Sequence, residues 1–223
     1  MSVSELSTST QNYLKAIWGL KEWSSEPVTA TLIAKQLGLK LSSVSDAVRK
    51  MAKQGLVSHT PYGSVELTEL GRQYALVMVR RHRLLESFLV QALGYTWDEV
   101  HNEAENLEHA VSDMLIERVD KFLDYPTRDP HGDPIPTVDG QITIPSAHRL
   151  TDSGAQSQVT VERISDSDPQ LLKFLEERGI VTGAVLSTRE GAPFSDSLEI
   201  QVAGGTQWVA VSYTHLTLPT TPY

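Results

Sequence analysis

The sequence predicts an α+β protein, helical in its N-terminal part and closed by a small all-β barrel at its C-terminal end. Three observations carry this. Apolar residues recur with helical spacing almost without interruption from Tyr13 to Leu123, and glycines stand where helices should stop. Three prolines in Asp129–Pro136 (DPHGDPIP) then force a non-helical crossing. From Gln158 onward apolar and polar residues alternate as they do in strands.

Each element follows in order. Tyr13, Leu14, Ile17, Trp18 and Leu20 form a helical face behind Ser9 and Thr10, which can cap it, and Ser24–Pro27 breaks this helix. Val28–Leu37 predicts a second helix, with Leu32, Ile33, Ala34 and Leu37 on one face. Gly38 ends it by taking the left-handed position that other residues resist. Ser42 or Ser43 caps a third helix running to Gln54, with Val44, Ala47, Val48 and Met51 inward and Gly55 as its stop. Leu56–His59 and Ser64–Leu67 flank Thr60-Pro61-Tyr62-Gly63, a hairpin signal. Thr68–Leu93 is one long helix closed by Gly94, and Trp97–His109 and Ser112–Leu123 are two further amphipathic helices. Residues 137–157 read as a linker. Gln158–Ile164, Ala184–Arg189, Leu198–Val202 and Gln207–Val211 read as strands, with a short helix, Pro169–Arg178, among them. The uncharged tail, residues 213–223, carries no pattern and is expected to be disordered or of non-native origin.

Composition narrows the function. The chain has 223 residues, a formal net charge of −9 and no cysteine. The missing thiols exclude a disulfide scaffold, a cysteine nucleophile, an iron–sulfur cluster and a cysteine zinc site. No apolar run approaches the roughly 18 residues of a membrane span. The N-terminus lacks the basic-then-apolar pattern of a signal peptide, so a cytoplasmic location is expected. The charge is unevenly spread. Residues 30–85 carry nine Lys/Arg against three acids, whereas residues 86–140 carry thirteen acids against three Lys/Arg. A basic segment suits a polyanion; an acidic one suits a cation or a solvated face.

Helix, glycine-bearing turn, helix and hairpin, in that order, are the parts of a winged helix-turn-helix. Ser42, Ser43 and Ser45 give the second of those helices a small polar first turn, which lets the backbone approach double-stranded DNA. Its N–H groups can meet phosphate oxygens. Lys35, Lys40, Arg49 and Lys50 can add phosphate contacts, as can Lys53. The hairpin tip near Tyr62 can lie along the backbone or minor groove. Asp46 is unusual on such a face: it can accept from a cytosine amino group or be a plain surface acid.

A second constellation lies downstream. Glu105, Glu108 and His109 stand at i, i+3 and i+4, with His101 four residues before Glu105. On the preceding long helix, His82 and Glu86 are also four apart. Carboxylates and imidazoles without thiolates suit Mn2+ or Fe2+, and Zn2+, Co2+ or Cd2+ can substitute in vitro because affinity alone does not favour manganese.

These stretches together resemble the diphtheria toxin repressor family of metal-dependent transcriptional regulators. The resemblance rests on Asn12–Trp18 (NYLKAIW), the helix-turn-helix through Leu56-Val57, Arg80–Glu86 (RRHRLLE), Val100–His109 (VHNEAENLEH) and Asp129–Pro136. It covers residues 8–150 strongly and 155–211 loosely. It implies a winged helix-turn-helix over residues 1–72, a helical metal-binding and dimerisation domain over 73–150, and an SH3-like β-barrel over 151–212. It also implies two metal positions: His82, Glu86 and His101 in one set, and Glu105, Glu108, His109 and a first-helix residue, matched by Asn12, in the other. Iron-responsive members carry Cys where this chain has Glu105, and manganese-responsive members carry Glu, so the resemblance is closest to the latter. Asn12 stands where the family has Asp or Met and brings no charge. Asp166, Asp168 and Gln170 are the nearest candidates for a contribution from the barrel to the first set. A homodimer is implied, with Met114, Leu115, Val119 and Phe122 available to its seam or to the core.

The expected function is a metal-dependent DNA-binding repressor of metal homeostasis genes, Mn2+ favoured and Fe2+ the alternative, acting on a palindromic operator. Asn12 would be drawn to the Glu105–His109 helix on metal binding, fixing the DNA-reading heads. Two rivals stay open. Glu105-x-x-Glu108-His109 loosely resembles an inverted zinc-protease motif that has His at the first position, so a metallohydrolase is one. A metal-binding protein with a structural helix-turn-helix is the other.

Overall fold

The computed structural model describes residues 3–24, 26–60, 63–152, 157–166, 168–192, 197–212 and 219–222. The chain forms two compact units. The first holds Met1–His82, Glu108–Val111 and Pro136–Gln141, and the second Arg83–Leu107, Ser112–Ile135 and Ile142–Tyr223.

In the first unit a 3-10 turn, Val3–Glu5, precedes helix α1 (Thr8–Glu22), whose N-cap is Ser7 rather than Ser9 or Thr10. Helix α2 (Ala30–Leu37) is capped by Thr29, which accepts from the Leu32 amide, and Gly38 closes it in the left-handed conformation at φ 64°. Helix α3 (Leu41–Lys53) starts earlier than expected: Lys40 is its N-cap and no side chain caps it, so neither Ser42 nor Ser43 plays that part. Strands β1 (Val57–His59) and β2 (Val65–Leu67) pair antiparallel, Ser58 opposite Glu66. The hairpin tip proposed at Tyr62 lies outside the described residues. One core joins these elements: Leu14 and Ile17 of α1, Ile33 of α2, Val44, Val48 and Met51 of α3, and Val57 and Val65 of the hairpin are all buried in it. A displacement of α1 is therefore felt by α3 through packed side chains.

Helix α4 (Glu69–Leu93) begins in this unit and continues into the second. Thr68 precedes it, its hydroxyl donating to the Gly55 carbonyl and accepting from the Gly71 amide. In the second unit follow α5 (Trp97–Leu107) and α6 (Asp113–Phe122), the latter capped by Ser112. Helix α5 ends two residues short of expectation, and Glu108 and His109 sit in the turn after it.

The C-terminal part is a six-stranded antiparallel sheet of β3 (His148–Arg149), β4 (Gln158–Val161), β5 (Val185–Glu190), β6 (Ser197–Val202), β7 (Val209–Ser212) and β8 (Pro219–Pro222), in the order β3-β8-β4-β5-β6-β7. Helix α7 (Pro169–Glu176) lies between β4 and β5 in sequence, and its Leu172 and Leu175 share a core with Val159, Leu186 and Ile200. The tail corrects one expectation. Residues 219–222 pair with both β3 and β4, so this part of the tail is a strand and not disordered. Extended strand partners on either side satisfy its backbone groups, which a composition-based reading of a short uncharged stretch does not register.

Candidate metal and DNA sites

Helix α3 turns Val44, Val48 and Met51 inward and leaves Ser42, Ser43, Arg49 and Lys50 exposed, with Lys35 and Lys40 exposed beside them. Its uncapped first turn presents free N–H groups, as an anion site requires. Ser45 is half-buried and its hydroxyl donates to the Leu41 carbonyl. Asp46 forms an ion pair with Arg49, so it orients that guanidinium one turn along the helix.

The first unit gathers His82, Glu108 and His109 around the start of α1. Glu108 is fully buried. His82 Nδ1 lies 2.6 Å from its Oε2, and Lys15 Nζ lies 2.7 Å from its Oε1. Burial alone would raise the Glu108 pKa, but the His82 hydrogen bond and the Lys15 charge outweigh it and hold the carboxyl below its ordinary value. Gln11, which the sequence reading passed over, fixes the histidine beyond. Its amide Nε2 donates to the Val3 and Leu6 carbonyls, which leaves Oε1 as acceptor. His109 Nδ1, 2.6 Å away, must then be the donor, and in the neutral ring Nε2 keeps the lone pair a metal needs. Asn12 Oδ1, next along α1, is buried and makes no hydrogen bond among the described residues. A desolvated amide oxygen without a donor fits a cation ligand.

The second unit gathers Glu86, His101 and Asp166, whose ligand atoms lie within 4.8 Å of one another. His101 Nδ1 is 3.0 Å from Asp166 Oδ2 and 3.3 Å from Glu86 Oε1. Glu105 Oε1 is more distant, 3.9 Å from His101 Nε2. Burial alone would lower the His101 pKa. The hydrogen bonds and charges of Asp166 and Glu86 outweigh it and push the ring up to about 10. Conversely, His101 pulls Asp166 down to about 2 against the effect of burial. In the metal-free protein, then, a protonated imidazolium supplies the positive charge among these carboxylates.

Two further candidate donors come from the proline-rich crossing. Glu86, Asp129 and His131 form a second set of ligand atoms within 4.8 Å. His131 is fully buried, packs edge-on against Trp97, and makes no hydrogen bond through either ring nitrogen among the described residues. Asp129 Oδ1 accepts from the amides of His131 and Asp133, and the His131 carbonyl accepts from the Ile164 amide, so the loop is clamped at both ends. Burial, then the charges of Asp133 and Glu86, push the Asp129 carboxyl well above the usual carboxylate range. In the sequence Asp129–Pro136 marks a chain crossing and part of the family resemblance, without naming Asp129 or His131 as donors. His131 between Pro130 and Pro134 was the available signal.

Asp168 and Gln170 are not brought to His101. Both are exposed, and the Asp168 carboxylate caps α7 by accepting from the Gln170 and Leu171 amides. Asp166, two residues earlier, makes the contact instead. The Asp-Pro pair at the head of a short apolar helix is an N-cap signature, which assigns Asp168 its structural role.

Three family models match the chain in order: iron dependent repressor, N-terminal DNA binding domain, at residues 5–65; iron dependent repressor, metal binding and dimerisation domain, at 68–137; and FeoA domain at 148–214. The iron-dependent repressor IdeR of Mycobacterium tuberculosis is 33% identical over 229 aligned residues, covering 97% of this chain and 95% of that protein. The chain belongs to the diphtheria toxin repressor family. The diphtheria toxin repressor of Corynebacterium diphtheriae is itself 36% identical over 61% of the chain and 60% of its own length. Among solved structures, a manganese-dependent transcriptional repressor in complex with manganese is 45% identical, with a TM-score of 0.89 over 96% of this chain and 99% of that one. ScaR with bound Zn2+ is 29% identical, with a TM-score of 0.83 over 96% and 99%. As a family member this chain is a metal-dependent DNA-binding transcriptional repressor of metal homeostasis, not a hydrolase or any other enzyme. The C-terminal sheet is the FeoA-type, SH3-like domain.

Proposed function

We propose that this repressor is activated by Mn2+, acts in the cytoplasm, and binds a palindromic operator as a homodimer. The observation that carries the choice of metal is the donor set. Glu86, His101, Asp166 and His131 in one unit, and Glu108, His109 and the Asn12 amide in the other, are all oxygen or nitrogen donors. Sulfur, which would favour softer ions, is absent from the set, and Glu105 stands where iron-responsive members carry Cys. The solved manganese complex of a relative 45% identical supports the same reading.

We assign Glu86, His101 and Asp166, joined by His131, to one metal position, and Asn12, Glu108 and His109 to the other. Asp166 here replaces Asp168 and Gln170. A bound divalent ion supplies the positive charge that lets several carboxylates share one place. The chain's own residues do the rest. Gln11 holds His109 in its ligating tautomer, Asn12 offers an oxygen from α1, and the shared core of α1, α2 and α3 passes the position of α1 to the DNA-reading helix. Lys35, Lys40, Ser42, Ser43, Ser45, Arg49 and Lys50 are the proposed DNA contacts, the cations for phosphates and the first turn of α3 for bases. The functional segments are residues 1–72, 73–150 and 151–212.

Fluorescence anisotropy on a palindromic operator tests this at fixed salt, with EDTA, Mn2+ and anaerobic Fe2+ compared. Tight binding with Mn2+ alone is expected. Activation by Fe2+ alone would overturn the metal assignment, and equal binding in EDTA would overturn the sensor itself.

A further inference from the structure

The first unit already holds a cation in its acid–imidazole cluster. Lys15 Nζ lies 2.7 Å from Glu108 Oε1 and 2.8 Å from Oε2, so one ammonium spans both oxygens of the buried carboxylate. It also lies 3.4 Å from His82 Nδ1. Lys15 stands one helical turn after Asn12 on α1, so both face the same way. A carboxylate buried as deeply as Glu108 needs a counter-charge, and Lys15 supplies it. Yet the same carboxylate is a proposed ligand of a divalent ion. An ammonium and a divalent ion on one buried carboxylate would repel each other across a few ångströms in a poorly screened site. The two cations therefore exclude each other. Lys15 is also built to leave. Its side chain keeps 16% of its exposure, so Lys15 is not sealed in the core as Glu108 is. A compact ammonium on a flexible stem can swing toward solvent while the methylenes stay packed.

We propose that Lys15 sets the metal affinity of this cluster: its ammonium is a resident counter-ion that a divalent cation must displace from Glu108. The proposal rests on the metal assignment above. Loading the first unit is then an exchange of one cation for another, and the free-metal concentration at which it occurs depends on how firmly Lys15 is held. The arrangement also explains how the metal-free chain keeps Glu108 buried without loss of the fold.

Full-length wild type, Lys15→Met, Lys15→Arg and Glu108→Gln proteins are titrated with Mn2+ itself. Free ion is followed by electron paramagnetic resonance, and thermal midpoints of the metal-free proteins are recorded in parallel. Lys15→Met should bind Mn2+ about ten- to a hundredfold more tightly in the step that Glu108→Gln removes. Its metal-free form should melt below wild type, because Glu108 has lost its counter-charge, and Mn2+ should restore the loss. Lys15→Arg keeps the charge and should bind no more tightly than wild type. Unchanged or weaker Mn2+ binding by Lys15→Met overturns the proposal. If that variant does not fold without metal, Lys15→Gln makes the same comparison with a neutral polar head. Should wild type take up no Mn2+ that Glu108→Gln removes, the metal assignment itself fails, and this arm shows it without reference to Lys15.

Discussion

Two aspartates two residues apart, Asp166 and Asp168, have opposite fates. Asp166 reaches His101 at 3.0 Å, and Asp168 turns back to cap α7. Asp166→Asn should therefore weaken Mn2+ binding by about ten- to a hundredfold, as loss of a ligand or its close support does elsewhere. Asp168→Ala should cost about 1 kcal/mol of stability and leave Mn2+ binding unchanged. Isothermal titration and thermal melts of both variants separate the two roles. The His101–Asp166 contact also gives the metal-free protein a pH dependence. His101 is raised from 6.5 to about 10, so its contribution is complete below pH 6.5 and is lost as pH rises through about 10. Asp166 is lowered from 3.8 to about 2, so the same contact is complete above pH 3.8 and is lost as pH falls through about 2. Urea unfolding of the EDTA-treated protein between pH 6 and 10 should show declining stability, and His101→Gln should flatten that limb. An equally steep decline in His101→Gln would remove His101 as its cause.

The crossing Asp129–Pro136 does more than reverse the chain. Gly132 sits at φ 88°, and a Cβ there would collide with the Glu162 carbonyl oxygen. Arg83 closes the far side, donating to the Pro134 carbonyl at 2.6 Å and pairing with Asp133 at 3.3 Å, and Arg163 forms a second ion pair with Asp133. This loop holds His131 where its ring faces Trp97 and Glu86. Gly132→Ala adds both a collision and a backbone conformation that an L side chain resists, so it should destabilise the protein by about 1–3 kcal/mol. It should also weaken Mn2+ binding by displacing His131. A variant with a wild-type melting midpoint would show that the loop relaxes freely.

Assembly is the remaining level. Helix α6 buries Ile116 and Val119 in its own unit but leaves Met114 65% and Phe122 66% exposed, with Leu115 exposed as well. Phe122 touches Phe88 of α4 edge-on, with ring centroids 5.6 Å apart. Large apolar side chains left in water on a member of a family with a dimerisation domain suit the proposed homodimer seam. Met114→Asp should shift the sedimentation coefficient from dimer to monomer with little loss of unit stability. Val119→Asp should unfold the chain, because it buries an unpaired charge. Met114→Asp sedimenting as a dimer would move the seam elsewhere.

Much of this protein was legible before any coordinates. The helices announce themselves through apolar spacing and through Gly38, Gly55 and Gly94 at their ends, because period and chain stop are local properties. The candidate donor types were equally plain: His82, Glu86, His101, Glu105, Glu108 and His109 stand at helical intervals, and the absence of cysteine limits the chemistry. Tertiary packing decided the rest. It separated Val119 from Met114, chose Asp166 over Asp168, and turned His131 from a loop residue into a buried imidazole. It also set Lys15 on Glu108 and Gln11 on His109, partners more than ninety residues apart in the chain. Spacing along one helix fixes which side chains share a face. Only the long-range fold settles which buried charge a given side chain must neutralise, and a buried charge tolerates very few partners.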